Sequence, residues 1–182
     1  MPTIQIIVLA LVQGITEFLP ISSSGHLVLT PALFGWRDQG LLIDVAVHVG
    51  TLFAVLMYFR RDFLEMAAGA ARLPFVRGGE GGRLALLVAL ATIPVVAIGF
   101  ALKQLGAIDA MRTIEVIGWA TLVFGVALWA ADRLRPAERM LTDLKWGGAI
   151  VFGLAQAIAL IPGTSRSGIT MTAGRALGFT RP

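Results

Sequence analysis

The chain has 182 residues, of which 57% are hydrophobic and 14% charged, and its mean hydropathy is +0.81. Soluble domains average roughly 45–50% apolar and 25% charged residues, so this composition indicates an integral membrane protein. The formal charge is +4, but the Arg residues lie between apolar runs and form no basic stripe with interleaved aromatic residues, which argues against a nucleic-acid partner. Because cysteine is absent, disulfide bonds, thiolate metal sites and a cysteine nucleophile are excluded.

Five apolar segments follow one another along the chain. They run approximately over 4–19, 41–59, 84–102, 114–131 and 147–162. The three central segments are close to the ~20 residues that an α-helix needs to cross a bilayer. The first and last segments are shorter and end in polar sequences. We therefore expect each of these two either to span the bilayer or to enter it and return.

Basic residues are concentrated in two connections between the apolar segments, 60–83 and 132–146, and are sparse in 20–40 and 103–113. The positive-inside rule places the two basic connections on the cytoplasmic side. The polar sequences that end the first and last segments are then expected near the outer side. The basic residues are Arg60, Arg61, Arg72, Arg77 and Arg83 in the first connection, and Arg133, Arg135, Arg139 and Lys145 in the second.

The two polar sequences resemble each other. Residues 13–27 read QGITEFLPISSSGHL, and residues 156–170 read QAIALIPGTSRSGIT. Each runs from Gln through an apolar stretch to Pro and then into hydroxyls and Gly, which indicates an internal repeat within one membrane domain, 1–182. Broken polar backbone at membrane depth is tolerated only where protein or water satisfies it, so we expect the pair to meet in one internal site. The repeats are inverted if the first segment is re-entrant and parallel if it spans.

Three acidic residues lie inside apolar segments, where a carboxylate costs ~2.5–3.5 kcal/mol on insertion scales. Asp44 and Glu115 stand near the starts of their segments, where a helix N-terminus favours negative charge, and we interpret them as structural. Glu17 lies deeper, one helical turn after Gln13. Oxygen atoms of these two side chains could hold a divalent cation, Mg²⁺ or Ca²⁺. Alternatively, Gln13 hydrogen-bonds a neighbouring helix and Glu17 pairs with Arg166.

The second polar sequence has the composition of a phosphate-binding loop. Its Arg166 supplies a planar guanidinium that suits phosphate, its glycines allow close backbone approach, and its hydroxyls can donate hydrogen bonds. The pattern of Ser and Gly around one Arg is common in loops and is weak by itself. The candidate phosphate ligands are Gly163, Thr164, Ser165, Arg166, Ser167 and Thr170.

The chain has two histidines. His26 follows three serines and could act as a nucleophile or as a general acid or base, whereas we interpret His48 as a hydrogen-bonded core residue. Phosphoryl transfer needs a positioned substrate, neutralisation of the phosphate charge and a nucleophile. The candidate residues suit this reaction, because they comprise a carboxylate that could hold a metal, a histidine, hydroxyls and an Arg. A membrane transporter or flippase for lipid phosphate is the alternative, since broken helices in an inverted repeat are also transporter architecture.

At these residues the chain resembles the undecaprenyl-diphosphate phosphatase family, also called the bacitracin-resistance family. The resemblance rests on Gln13-x3-Glu17 with the residues that follow it, on 44–51 (DVAVHVGT) and on 162–170, and it covers essentially the whole chain. It implies an all-α polytopic membrane enzyme with re-entrant helices and an inverted repeat. The implied reaction is hydrolysis of undecaprenyl diphosphate to undecaprenyl phosphate, the lipid carrier for peptidoglycan synthesis.

The resemblance also implies residue roles and a location. It makes Glu17, Ser23, His26 and Arg166 catalytic, with Ser23 and His26 both open as the nucleophile, and it makes Gln13 and Glu17 metal ligands, of which only Glu17 is a carboxylate. The implied location is the bacterial inner membrane, with the site facing the periplasm; a homodimer is left open. Family members usually continue for several membrane segments beyond the second motif, so we expect the chain to be truncated. A non-catalytic fragment is therefore a third hypothesis.

Overall fold

The computed structural model describes residues 1–72, 79–134 and 137–180, and throughout these ranges the chain is built from helices. In the described ranges, extended backbone pairs at one isolated β-bridge, between Arg139 and Phe179. The α-helices are α1 Thr3–Thr16, α2 Ser23–Phe34, α3 Gly40–Tyr58, α4 Arg60–Arg72, α5 Gly79–Gln104, α6 Ala107–Ala110, α7 Ile114–Leu134, α8 Trp146–Ile158 and α9 Arg166–Ala176, with a 3-10 turn at Leu141–Asp143. The all-helical fold expected from the sequence is confirmed for these residues.

Three of the helices, α3, α5 and α7, are long and apolar enough to cross a membrane. Large hydrophobic side chains on them face outward: Leu42 is 81% exposed, Trp119 69% and Phe100 65%. Such surfaces are unfavourable in water and match the hydrocarbon interior of a bilayer. The protein is therefore a membrane protein.

The first and last apolar segments form shorter helices than the sequence segments suggested. The helix α1 has 14 residues and α8 has 13, so each is about 20 Å long at 1.5 Å per residue. A bilayer's hydrocarbon core is ~30 Å thick. Each helix ends four residues before the proline of its polar sequence, Pro20 or Pro162, because proline has no N–H to donate to the carbonyl four residues earlier and its ring clashes with that carbonyl.

The helices pack in pairs through small residues. The backbone of α8 approaches α5 at Gly153, where a Cβ atom would lie 2.5 Å from the carbonyl oxygen of Ala91. The helix α4 approaches the start of α5 at Gly69, which is buried against the backbone of Gly82. The helix α9 contacts both α7 and α8, while α1 contacts α2 and α3. Contact between α2 and α7 joins these two groups, and the C-terminal ends of α1 and α8 come to one region of the molecule.

The two basic connections lie on one side of the molecule. Arg83 Nη1 donates a 3.2 Å hydrogen bond to the carbonyl oxygen of Thr142, and Nη2 donates to that of Leu144. The α4 residues Arg60, Arg61 and Arg72 are exposed. This proximity agrees with the expectation that both connections face the same compartment. Arg77 and Arg135, which contributed to that expectation, lie outside the described residues.

Candidate active site

The two polar sequences meet, as the sequence predicted. Ser167 Oγ donates a 3.2 Å hydrogen bond to the carbonyl oxygen of Leu19, across 148 positions of sequence. A Cβ atom on Gly168 would lie 3.3 Å from the carbonyl oxygen of Pro20, so the two backbones are in close contact. The loop before α9 is braced by α7, since Thr121 Oγ1 donates to the carbonyl oxygen of Gly163 at 3.1 Å.

A cavity of about 190 Å³ lies where these loops meet. Of the residues singled out in the sequence, it is lined by Glu17, Ser23, Thr164, Ser165, Arg166 and Ser167. In the described part of the chain, its lining does not include Gln13, His26, Gly163 or Thr170. It also includes two residues with titratable side chains that were not assigned to the site from sequence, His48 and Arg112.

Two helices begin at this cavity, and their first turns are built alike. Ser22 caps α2 by accepting a 3.1 Å hydrogen bond from the backbone N–H of Gly25, and its Oγ lies 3.2 Å from that of Ser24. Ser165 caps α9 in the same way, accepting from Gly168 at 3.1 Å, with Ser167 Oγ at 3.0 Å. The N-termini of helices attract anions through free N–H groups and the helix dipole. Both helices therefore direct positive potential at one cavity.

Glu17 is the acidic side chain in the cavity lining among the described residues. Its Oε2 accepts hydrogen bonds from Ser23 Oγ at 2.5 Å and from Gln13 Nε2 at 3.0 Å. The same oxygen lies 3.7 Å from His48 Nε2. The alternative ion pair between Glu17 and Arg166 is not among the ion pairs of the described residues.

Arg166 is exposed at the first position of α9. No described residue forms an ion pair with its guanidinium. The hydroxyl of Thr164, also in the lining, is buried without a hydrogen-bond partner in the described part of the chain. These groups are unused donors at the end of a helix dipole, which is the arrangement that binds a phosphate oxygen.

Gln13 is fully buried behind Glu17. Its amide nitrogen also donates to Thr51 Oγ1 at 3.3 Å, whereas its Oε1 has no hydrogen-bond partner among the described residues. Glu17 and this unpaired Gln13 oxygen are hard donors of the kind that divalent cations prefer, so the residues fit a cation that keeps water and phosphate ligands. The described residues contain no group of three or more His, Asp or Glu side chains that could hold a metal by themselves.

The two histidines have the same local geometry but different surroundings. Each Nδ1 lies 2.7 Å from a carbonyl oxygen one turn earlier, that of Ser22 for His26 and that of Asp44 for His48. A ring nitrogen this close to a carbonyl must carry the hydrogen, which leaves Nε2 free in both. His48 is hydrogen-bonded, as we expected, but it is not a core residue: its ring lines the cavity, is partly exposed, and has Nε2 3.7 Å from Glu17 Oε2.

The sequence of α3 contains a pattern that indicates a polar environment for His48. Asp44, His48 and Thr51 are spaced at i, i+4 and i+7, which places them on one face of an otherwise apolar helix. Asp44 and Thr51 are buried, at 6% and 8% exposure, and each contacts a side chain of the site region. A polar stripe on a membrane helix indicates a face turned toward a polar interior. The structural role inferred for Asp44 agrees with these contacts.

Arg112 precedes α7 and reaches the cavity from that side. Its Nη1 donates a 3.0 Å hydrogen bond to Asp44 Oδ2, and its Nη2 lies 3.5 Å from Asp38 Oδ2. Burial lowers the pKa of the Arg112 guanidinium, but the hydrogen bond and charge of Asp44, aided by Asp38, outweigh burial and the pKa is raised. The group is therefore a permanent cation.

Comparison with known proteins places the chain in a family. Residues 6–182 match the family model described as Bacitracin resistance protein BacA. The undecaprenyl-diphosphatase of Ruegeria pomeroyi is 55% identical over 182 residues, which cover 100% of this chain and 68% of that protein. That of Jannaschia sp. is 54% identical, and the alignment covers 100% of this chain and 68% of that protein. That of Alcanivorax borkumensis is 55% identical, and the alignment covers 97% of this chain and 67% of that protein. The chain belongs to the BacA bacitracin-resistance family.

Proposed function

We propose that this chain hydrolyses undecaprenyl diphosphate to undecaprenyl phosphate and inorganic phosphate. This reaction recycles the lipid carrier for peptidoglycan synthesis and underlies resistance to bacitracin. The relatives that carry the name undecaprenyl-diphosphatase align with the whole chain or nearly all of it. The observation that carries the proposal is that one cavity holds Arg166, which has no ion pair among the described residues, together with a hydrogen-bonded Glu17 and Ser23.

Residues of the second polar sequence would have two kinds of role, contact with phosphate and support of the loop. Arg166, Thr164 and the serines 165 and 167 line the cavity and would contact phosphate oxygens. The hydroxyl of Thr170 donates to backbone carbonyls of its own helix, so we assign it a structural role. Gly163 has a φ of +94° and lies against Ile117, and it would shape the loop rather than contact the ligand.

Ser23 is our choice of nucleophile. It lines the cavity, and its short hydrogen bond to Glu17 orients the hydroxyl and supplies an acceptor for its proton. Attack of Ser23 Oγ on the terminal phosphorus would break the bridging P–O bond and release undecaprenyl phosphate. Water would then cleave the phosphoserine and release inorganic phosphate. His26 is the alternative nucleophile, although it is not part of the described lining.

A divalent cation, Mg²⁺ or Ca²⁺, would be held by Glu17 and the unpaired oxygen of Gln13. When bound, it would neutralise negative charge on the phosphate oxygens. The protein residues would bind and orient the substrate. Arg166 and the two helix N-termini would bind the diphosphate, and the buried Gln13 would hold Glu17 toward Ser23 by its hydrogen bond.

In the membrane, we propose that α1–α2 and α8–α9 are two re-entrant pairs related by an inverted repeat. The short lengths of α1 and α8, the proline that follows each, and the matching Ser22 and Ser165 caps support this arrangement. The positive-inside rule then directs the cavity to the periplasmic side of the bacterial inner membrane. The undecaprenyl chain would lie in the bilayer beside the exposed apolar helices, and a homodimer remains a candidate assembly.

Phosphate release from undecaprenyl diphosphate by the purified chain in detergent tests the function. We expect release that EDTA suppresses and that Arg166→Ala lowers by on the order of 10²–10³-fold, as for loss of a donor to a transition-state charge. Arg37→Ala is the matched control, because it removes the same charge from an exposed residue outside the described cavity lining. Wild-type rates for Arg166→Ala, or no phosphate release by the unaltered chain, would contradict the proposal.

A further inference from the structure

Arg112 is a second guanidinium in the cavity that neither polar sequence supplies. It lines the same space as Arg166 but comes from the connection before α7. We propose that Arg112 binds a phosphate group of the substrate and makes the site selective for a lipid diphosphate over a lipid monophosphate. This inference rests on the proposed function and deepens it, because it separates substrate from product by their charge.

The position of Arg112 is fixed by a chain of hydrogen bonds. Asp44 Oδ2 accepts from its Nη1 at 3.0 Å, and Asp44 Oδ1 accepts from Gln39 Nε2 at 2.5 Å. Gln39 Nε2 also donates to the carbonyl oxygen of Leu27 in α2 at 3.1 Å. The guanidinium is thus tied to α3 and, through Gln39, to the helix that carries Ser23. A cation held in this way loses little freedom when a ligand arrives.

The guanidinium retains donors that its protein partners do not use. Its Nη2 is buried and has no hydrogen-bond partner in the described part of the chain, although Asp38 lies 3.5 Å away. A guanidinium has five N–H donors, and a buried donor without an acceptor is unfavourable. Because Arg112 lines the cavity, a phosphate oxygen there can accept from the N–H donors that Asp44 and Asp38 leave unused.

The charge balance of the cavity favours a diphosphate. Its described lining contains two guanidinium groups and two helix N-termini, against one carboxylate, Glu17. Asp44 and Asp38 lie outside that lining, but they pair with Arg112 and offset part of its charge. A monophosphate offers three terminal oxygens, which Arg166 and the α9 N-terminus can engage by themselves. A second phosphate group supplies further negative charge and acceptors, which gives Arg112 a ligand that the monophosphate lacks.

A purely structural role is the competing explanation for Arg112. The ion pair with Asp44 joins the start of α7 to α3, and its loss would destabilise the fold. Such a role would weaken the binding of every ligand alike. Selectivity between one and two phosphate groups is therefore the property that separates the two explanations.

The test is equilibrium binding of two non-hydrolysable lipids, farnesyl methylenediphosphonate and farnesyl phosphonate, to the full chain in detergent. Binding does not depend on turnover, so its outcome is distinct from that of the phosphate-release assay. We expect Arg112→Met to weaken diphosphonate binding about tenfold or more and to change phosphonate binding by less than about threefold. Arg112→Lys, which keeps the charge, should recover part of the loss, and Arg37→Met is the control for net charge.

Three results would overturn the inference: equal weakening of both ligands, unchanged diphosphonate binding by Arg112→Met, or no diphosphonate binding by the unaltered chain. Thermal unfolding of each variant shows whether it is folded. Should Arg112→Met not fold, Arg112→Lys serves alone: we expect it to lower the ratio of diphosphonate to phosphonate affinity, and an unchanged ratio would contradict us. Selective binding without phosphate release would support the role of Arg112 while refuting the proposed hydrolysis.

Discussion

At the scale of residues, one carboxylate oxygen is the shared contact of several side chains at the cavity. Glu17 Oε2 accepts hydrogen bonds from Ser23 and Gln13 and lies close to His48. In a membrane interior, a carboxylate without such partners would carry a cost of several kcal/mol. The donors lower that cost and hold Glu17 against the hydroxyl that we propose as the nucleophile.

The choice between the two nucleophiles predicts opposite results for two substitutions. Ser23→Ala should lower kcat by on the order of 10³-fold or more, because the attacking atom is removed. His26→Gln should retain activity within about tenfold, since His26 lies outside the described cavity lining and Gln is a polar residue that a helix accommodates well. Phosphate release under saturating substrate measures both. The reverse order, with His26→Gln inactive and Ser23→Ala active, would make His26 the nucleophile.

The sequence pattern singles out Glu17 and Arg166, because charged residues that interrupt apolar segments are unusual, and the family resemblance singles out Ser23. All three line the cavity. The sequence was not sufficient for His48 and Arg112. Their place in the cavity depends on how α3 and α7 pack against the polar loops, and tertiary contacts of this kind leave little local trace. The polar stripe of α3 was a usable signal, whereas Arg112 had none beyond its charge.

At the scale of elements, the loop before α9 depends on the absence of a side chain at Gly163. Its φ of +94° is a conformation that L-residues rarely adopt, and a Cβ atom would lie 2.5 Å from the carbonyl oxygen of Ile117. The loop therefore lies so close to α7 that position 163 has no room even for a methyl group. The position of Arg166 follows from this close contact.

Gly163→Ala should accordingly destabilise the protein by more than ~1–2 kcal/mol and lower phosphate release. Gly14→Ala is the control, since it lies within α1 with no atom within 4 Å of its added Cβ. It should be neutral or stabilising by up to ~1 kcal/mol, because Ala favours a helix more than Gly does. Thermal unfolding in detergent measures both changes. Equal stability of the two variants would contradict the role given to Gly163.

Helix boundaries followed from sequence less closely than helix existence. The segment 4–19 was read as one apolar run, but α1 ends at Thr16 and leaves Glu17 at its C-terminal cap. The sequence indicates a basic connection between membrane segments at 60–83, whereas the structure forms the helix α4 in its first part. Packing against α5 supplies the stabilisation that its sequence alone did not predict.

At the scale of the whole molecule, orientation in the bilayer can be tested because the chain contains no cysteine. We expect a membrane-impermeant maleimide to label Arg37→Cys in intact cells, because the connection between α2 and α3 faces the periplasm in our proposal. Arg61→Cys should be labelled only after permeabilisation. Both positions are exposed, so lack of reaction reflects the compartment and not burial. The opposite pattern would invert the orientation and place the cavity at the cytoplasmic face.

The transport alternative is not favoured, because the similar proteins carry the name of an enzyme. The repeat-like architecture that suggested it is also compatible with hydrolysis. What distinguishes the two functions is whether the polar sequences act together on one bond.

A double-mutant cycle with Glu17→Gln and Arg166→Lys measures that cooperation most directly. Single-turnover phosphate release from undecaprenyl diphosphate would be compared for the unaltered chain, each variant and the pair. Because we place both residues at one cavity and in one chemical step, we predict a strong loss for each and a combined loss much smaller than the product of the two. Losses that multiply fully, or activity retained by either variant, would contradict a single site built from both polar sequences.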